Sequence, residues 1–237
     1  MSKKTLVLYV FHKFNDRVKH FIKHAIFDAL NVNFVIMCND PTFDIKSKVP
    51  PGVKTFNREN KGYDFGGWSD LLLKHRLAFE PSYDTYLFVN SSVIGPFMGE
   101  HADEQWTDIF RKGLNEDVKL FGVTINCCQK PLTFAHVQSY LFAMSKQTVH
   151  DLIKDDLFSE KYVNTFLEAI WDKEVRMSRL IIERGGNIGS THRYYGGVDF
   201  RFKYKMPQDY NIDFLGDIMY PNHQNKLWTS DELVFIK

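Results

Sequence analysis

In the first hundred residues, apolar side chains come in short dense runs separated by polar, glycine or proline breaks. Thr5–Phe11, Asn33–Met37, Val53–Phe56 and Thr85–Val89 are four such runs. Each is too short for a helix of the core and rich in β-branched and aromatic residues, which predicts buried strands. Between the first two, Val18, Phe21, Ile22, Ala25, Ile26, Ala29 and Leu30 recur at helical spacing behind Asn15 or Asp16, either of which would cap the helix. Cys38-Asn39-Asp40-Pro41 ends the second strand. A second helix is predicted from Trp68 to Leu77. Strand–helix–strand alternation at this pace predicts an α/β fold, an open and mostly parallel sheet flanked by helices.

The pattern changes after Gly95-Pro96. Helices are predicted over Asp103–Lys112 and Thr148–Ile153, and strands over Lys119–Ile125 and Ser139–Met144. A long helix is expected from about Lys161 to Arg184, stopped by Gly185-Gly186. Asp199–Met206 alternates Phe200, Phe202, Tyr204 and Met206 with Asp199, Arg201, Lys203 and Lys205, the pattern of a half-exposed strand with a basic face. There is no internal repeat and no low-complexity linker, so residues 1–237 are expected to form one domain.

Composition narrows the function by exclusion. A formal net charge of +1 over 237 residues leaves no electrostatic footprint for nucleic acid. No apolar run approaches the roughly 20 residues of a membrane span. Met1–Lys4 leads directly into the first strand without a small-residue cleavage site, so no signal peptide is expected. Cys38, Cys127 and Cys128 cannot all pair with one another, and adjacent cysteines rarely bond; reduced thiols in the cytoplasm are the expectation.

Open parallel sheets bind ligands beyond the carboxyl ends of their strands. Phe11-His12, Asn39-Asp40, Arg58–Gly67 and Asn90–Ser92 each follow a predicted strand and should meet at one edge. The segment Arg58-Glu59-Asn60-Lys61-Gly62-Tyr63-Asp64-Phe65-Gly66-Gly67-Trp68 suits a loop that brings backbone N–H groups, a carboxylate and rings against a small polar ligand. Asp64 would accept from sugar hydroxyls, while Asn60 and Lys61 would hold a base or phosphate; the alternative is a structural loop with Asp64 capping the helix. Asn90-Ser91-Ser92 stands where an Asp-x-Asp would hold a divalent cation, but an amide and two hydroxyls are weak ligands for Mg²⁺ or Mn²⁺. A strand-end turn is the alternative for that segment.

Glu174 is the other candidate. On a helical wheel for 170–184 it falls in the arc of Ile170, Trp171, Val175, Met177, Ile181 and Ile182, with Ser178 beside it, whereas Lys173 falls on the polar side. An inward carboxylate would have a raised pKa and suit a general base; a glutamate satisfied by a buried partner is the other reading. His136 and Gln138 enter a strand with polar groups that would face an acceptor hydroxyl. Arg201, Lys203 and Lys205 would neutralise phosphate if their strand bordered the cleft, with a solvated basic face as the favoured alternative. His192 or His223 could add a late ligand to metal or phosphate, but a surface or hydrogen-bonded histidine is the favoured reading of each, because nothing nearby in sequence completes a metal set. A nicotinamide dehydrogenase is disfavoured, since no G-x-G-x-x-G follows the first strand.

In the glycine segment, in Val89-Asn90-Ser91-Ser92-Val93-Ile94-Gly95-Pro96, in His136-Val137-Gln138-Ser139-Tyr140 and in the helix from Glu174 to Gly185-Gly186, the chain resembles the rhamnan-synthesis F-like glycosyltransferases, and more broadly the GT-A nucleotide-sugar transferases. The resemblance implies a GT-A fold, with residues 1–100 as the nucleotide-binding half and 101–237 as the acceptor-binding half. It implies transfer of rhamnose or another hexose, with inversion, from a nucleoside diphosphate to a glycan or glycoprotein hydroxyl in polysaccharide biosynthesis. Phe11, Asn39, Asp40, Asn60, Lys61, Gly62, Asp64, Asn90 and Ser92 would surround the donor, His136 and Gln138 the acceptor, and Glu174 would be the base. Ser91 departs from the family's acidic residue, which leaves metal dependence open and a catalytically degenerate binding module as the rival. Small stand-alone domains of this type also resemble enzymes with which large DNA viruses decorate their coats.

Overall fold

The computed structural model describes residues 4–99, 103–127, 134–201 and 214–237. The strands β1 (Thr5–Phe11), β2 (Val32–Cys38), β3 (Lys54–Asn57), β4 (Thr85–Asn90), β5 (Val118–Gly122), β8 (Leu141–Ser145) and β9 (Asn187–Ser190) form a seven-stranded sheet, while β6 (Ile125–Asn126) and β7 (His136–Val137) pair separately. The sheet order is β3-β2-β1-β4-β8-β5-β9. β1 runs parallel to both β2 and β4, and β2 to β3. β8 is reversed against β4 and β5, and β5 again runs parallel to β9. The expected open, mostly parallel sheet flanked by helices is present. Every residue of β1 and β4 is buried, as their uninterrupted apolar sequence requires of central strands.

Helix α1 (Asp16–His24) is capped by Asn15, whose side chain accepts from Val18 N at 3.1 Å. It stops well before the expected Leu30, which is 98% exposed. The cause is a competing donor: the indole N–H of Trp106 takes the Ala25 carbonyl at 2.8 Å, an acceptor that a longer helix would need. Trp106 belongs to α3 (Trp106–Gly113). Helix α2 (Tyr63–Leu73) starts earlier than expected, inside the glycine segment. Trp68 on α2 is fully buried, donates to Leu8 O at 3.1 Å and meets Phe88 and Phe142 edge-on, fastening the helix across β1 and β4.

Helix α4 (Lys146–Lys154) forms where Thr148–Ile153 was expected, but the long helix expected over 161–184 is broken into three. A capping box at Thr165 and Glu168 opens a short turn, α5 (Phe166–Glu168). Ala169–Val175 winds as a π-helix, and α6 (Arg176–Glu183) follows. α6 ends as the glycine pair predicts: Gly185 N donates to Ile182 O and Gly186 N to Ile181 O, with Gly185 at φ 84. The wider π turn rotates side chains away from an α-helical wheel. Lys173, expected on the polar side, is therefore buried, and Trp171, expected inside, is 47% exposed.

Of the expected basic strand, residues 202–206, with Lys203 and Lys205, lie outside the described residues. Asp199–Arg201 does not form a strand; Arg201 pairs with Asp199 at 2.8 Å and Asp117 at 2.5 Å. Asp117 immediately precedes β5, so Arg201 sits at the amino edge of the sheet, away from the strand ends that were expected to bind ligand.

Candidate functional site at the carboxyl edge of the sheet

The strand order reverses between β1 and β4, which opens a crevice beyond their carboxyl ends. β8 is antiparallel, so the residues before it arrive at the same edge: Asn90 N donates to Tyr140 O at 3.0 Å. A short hairpin of β6 (Ile125–Asn126) and β7 (His136–Val137) leads into that segment. The result is a cleft of about 350 Å³ whose walls include Asp64, Asn90, Ser92, His136, Gln138 and Glu174. Six residues expected in the site from sequence are thus brought together, from α2, β4, the β7–β8 segment and the π-helix.

Asp64 lies in the first turn of α2 and accepts from Asn90 Nδ2 at 2.9 Å. Burial in the cleft raises its carboxyl pKa, the Asn90 hydrogen bond partly offsets that, and the charge of Glu174 adds to the rise; the outcome is about 6. Glu174 behaves in the opposite way to the sequence expectation. Its burial would raise the pKa, but His136 and Ser139 outweigh it and hold the carboxyl below the usual range. Glu174 Oε2 accepts from both Ser139 N and Ser139 Oγ at 2.6 Å, and Oε1 faces His136 Nε2 at 3.5 Å. His136 Nδ1 sits 2.7 Å from the Phe134 carbonyl, which can only accept, so that nitrogen carries hydrogen and Nε2 is turned to the carboxylate. The two carboxylates therefore differ: Asp64 is poised to exchange a proton near neutrality, and Glu174 is a fixed anion.

A proton held by Asp64 above its unfolded affinity stabilises the fold below about pH 4, and that contribution is lost as pH rises through about 6. Asp64→Asn keeps an oxygen for Asn90 and removes the buried charge. It should gain about 2 kcal/mol at pH 8, discounted for the residue's partial exposure, and close to nothing at pH 4. Thermal unfolding of both proteins at the two pH values checks this.

Asn60, Lys61 and Gly62 line a neighbouring cleft of about 410 Å³ with Tyr162, Val163 and Asn164, and Tyr63 forms part of both clefts. Gly62 has φ 73, and a Cβ there would come within 2.9 Å of Tyr162 Cβ. Tyr63 follows at φ 53, a conformation rare for a non-glycine residue and frequent at functional positions. Arg58 holds this turn from beneath: its guanidinium donates to Asp70 Oδ2 at 2.7 Å, Lys61 O at 2.8 Å and Asn39 Oδ1 at 3.2 Å.

Phe11, Asn39 and Asp40 line neither cleft, contrary to expectation. Phe11 is fully buried against Phe14 and Phe43, Asn39 is buried and bonded to Arg58, and Asp40 is half-buried and accepts from Thr42 N and Oγ1. Their backbone ends the strands, while their side chains serve packing and turn closure. His192 is buried against the Trp228 ring, 4.0 Å between centroids, and burial pushes its pKa down to about 4; neither it nor His223 lines the cleft.

Sequence reasoning missed Asn126, Asp217 and Lys237. Asp217 Oδ1 accepts from Gln138 Nε2 at 2.9 Å and Asn126 Nδ2 at 2.5 Å, which orients Gln138. Gln138 Oε1 accepts from Thr124 at 2.7 Å, and Thr124 also bonds Tyr140. Asp217 follows a stretch without periodicity, so only its charge marked it.

The donor set does not fit a divalent cation held by protein alone. Among the described residues no three His, Cys, Asp or Glu side chains converge. The Asn90 amide oxygen is occupied by Ser92 N at 2.9 Å and Ser92 Oγ at 2.5 Å, leaving Asp64 as the one hard anionic oxygen at the strand end.

The chain is thus an open-sheet α/β domain with a polar, carboxylate-bearing cleft at its topological switch point, where such sheets bind their ligands. Residues 51–192, more than half of the chain, match the model of rhamnan synthesis protein F, and the chain belongs to that family. The glycosyltransferase class expected from sequence holds at the level of the family. No curated protein matches the sequence. Among solved structures it is similar to the glycosyltransferase GlyE of Streptococcus pneumoniae TIGR4, at 13% identity and TM-score 0.45, over 83% of this chain and 47% of that one. The apo form of GlyE matches at 11% identity and TM-score 0.43, over 82% and 46%. A cytidylyltransferase from Leptospira borgpetersenii serovar Hardjo-bovis (strain JB197) matches at 10% identity and TM-score 0.44, over 86% and 91%. The chain spans about half the length of the GlyE chains. Among the described residues no helix is long and apolar enough to cross a membrane.

Proposed function

We propose that the chain is a glycosyltransferase that moves a hexose, with rhamnose the leading candidate, from a nucleoside diphosphate to a hydroxyl of a glycan or glycoprotein. The observation that carries this is the hydrogen-bonded pair Asp64–Asn90 facing Glu174, His136 and Gln138 across one cleft. The donor spans the two clefts past Tyr63, with its nucleoside toward Asn60, Lys61 and Gly62 and its sugar at Asp64. The acceptor lies toward His136 and Gln138, with Phe166 and Ile170 as the apolar wall that a sugar ring's C–H face prefers.

In this mechanism Asp64, rather than Glu174, is the base. The acceptor hydroxyl gives its proton to Asp64, and its oxygen forms a bond to the anomeric carbon. The bond from that carbon to the diphosphate oxygen breaks, and the electron pair leaves with the diphosphate, so the centre is inverted. Glu174 stays ionised and stabilises positive charge developing on the sugar ring. The buried free thiol of Cys38 is compatible with work in a reducing compartment such as the cytoplasm.

The occupied Asn90 amide and absent acidic pair favour one other reading, a nucleotide-sugar-binding module without turnover. Thermal shift with UDP, GDP, dTDP and their sugars, with and without Mn²⁺, identifies the donor, because a ligand bound only by the folded state raises its stability. Release of nucleoside diphosphate from the stabilising donor is the expected result. Binding without release, under all metal conditions, would establish the module instead.

A further inference from the structure

We infer that Lys237 is the phosphate-binding cation of this site, supplying the charge that a metal would otherwise provide to the leaving diphosphate; this rests on the donor placement proposed above. The first support is register. Ile94 and Ile236 form an antiparallel bridge, with N–H to O distances of 2.9 Å in both directions, and Phe97 N donates to Val234 O at 2.8 Å. That pairing sets Lys237 beside Val93, one residue beyond Ser92, where the strand-end segment meets the diphosphate. Lys237 accordingly lines the cleft with Asp64, Asn90 and Ser92, and its Nζ lies 5.9 Å from the centre of the Tyr140 ring.

The second support is charge. The cleft carries three carboxylates, Asp64, Glu174 and Asp217, and would repel a diphosphate without a compensating cation. Arg17 reaches the same strand end, but its guanidinium is used on the Ser92 carbonyl at 2.5 Å and it does not line the cleft. His136 is committed to Glu174. Lys237 makes no ion pair among the described residues and is exposed, and its ammonium rests over the Tyr140 ring at a distance that leaves its N–H donors open to a phosphate. A flexible lysine with three donors suits a group whose charge grows as the bond to the sugar breaks.

Calorimetry with UDP, GDP and dTDP and the matching nucleosides, all in EDTA, tests this on wild type, Lys237→Gln and Lys237→Arg. The wild type should bind one diphosphate more tightly than its nucleoside. Lys237→Gln should lose about tenfold or more of that diphosphate affinity, with nucleoside affinity and unfolding temperature unchanged, and Lys237→Arg should stay within about threefold of wild type. Diphosphate binding by Lys237→Gln equal to wild type overturns the inference and leaves the glycosyltransferase reading standing. Failure of the wild type to bind any of the three diphosphates in EDTA overturns the inference; failure also with Mn²⁺ removes that reading as well.

Discussion

Asp64→Asn should lower sugar transfer by about a thousandfold or more, within the range that a positioned general base contributes, while nucleotide binding changes little. The amide is the same size as the carboxylate and still accepts from Asn90, so the cleft keeps its shape and loses only the proton acceptor. Glu174→Gln should cost less, about ten- to a hundredfold, because its role is a fixed charge and the Ser139 and His136 contacts are what hold it. The pH profile separates the two assignments. With Asp64 as base, kcat/KM rises with pH on a single acid limb near 6 and flattens above it, since the carboxyl must be deprotonated to act. A Glu174 base would put the limb below the ordinary glutamate range and make Glu174→Gln the dead variant.

Arg58→Met should destabilise the protein by about 3 kcal/mol and raise the donor KM. Arg58 and Asp70 have side chains only 9% and 7% exposed, 2.7 Å apart. Burial alone would raise the Asp70 pKa, but hydrogen bonds from Tyr162 and Lys74 and the Arg58 pair hold it low. Without Arg58, a buried carboxylate keeps only Lys74 and Tyr162, and the Lys61 carbonyl and Asn39 amide lose a donor. The Lys61 turn would then loosen, which is why KM should move with stability. Urea unfolding and donor kinetics on the same variant check both effects, and a stable variant with normal KM would show that the turn holds itself.

The four strands of the first hundred residues were legible to within a residue, and most plainly β1 and β4, because central parallel strands are buried on both faces and their sequence is apolar without interruption; the short β9 and the β6–β7 hairpin carry no such run and were not anticipated. The residues that line the cleft were anticipated from two signals: Asn90 and Ser92 from small polar groups ending the apolar run of β4, and Asp64 from a carboxylate within the glycine-rich segment. Glu174 was found for a partly mistaken reason, since the wheel assumed α winding and the residue sits on a π-helix, and its pKa falls because Ser139 and His136 arrive from another segment. Contacts between distant segments were the illegible part. Trp106 ending α1 through Ala25, Asp217 orienting Gln138, and Lys237 delivered by the Ile94–Ile236 bridge each join residues 79 or more apart, with no local pattern to announce them. Phe11, Asn39 and Asp40 were over-read because strand ends carry turn chemistry as readily as ligand chemistry.

The most direct test is nucleoside diphosphate release from the donor that stabilises the protein, followed in wild type and Asp64→Asn side by side, with calorimetric binding on the same samples. Comparable binding by both, and release by the wild type alone, is the predicted result. Equal release by the two proteins would show that the cleft between Asp64 and Glu174 is not where the sugar bond breaks.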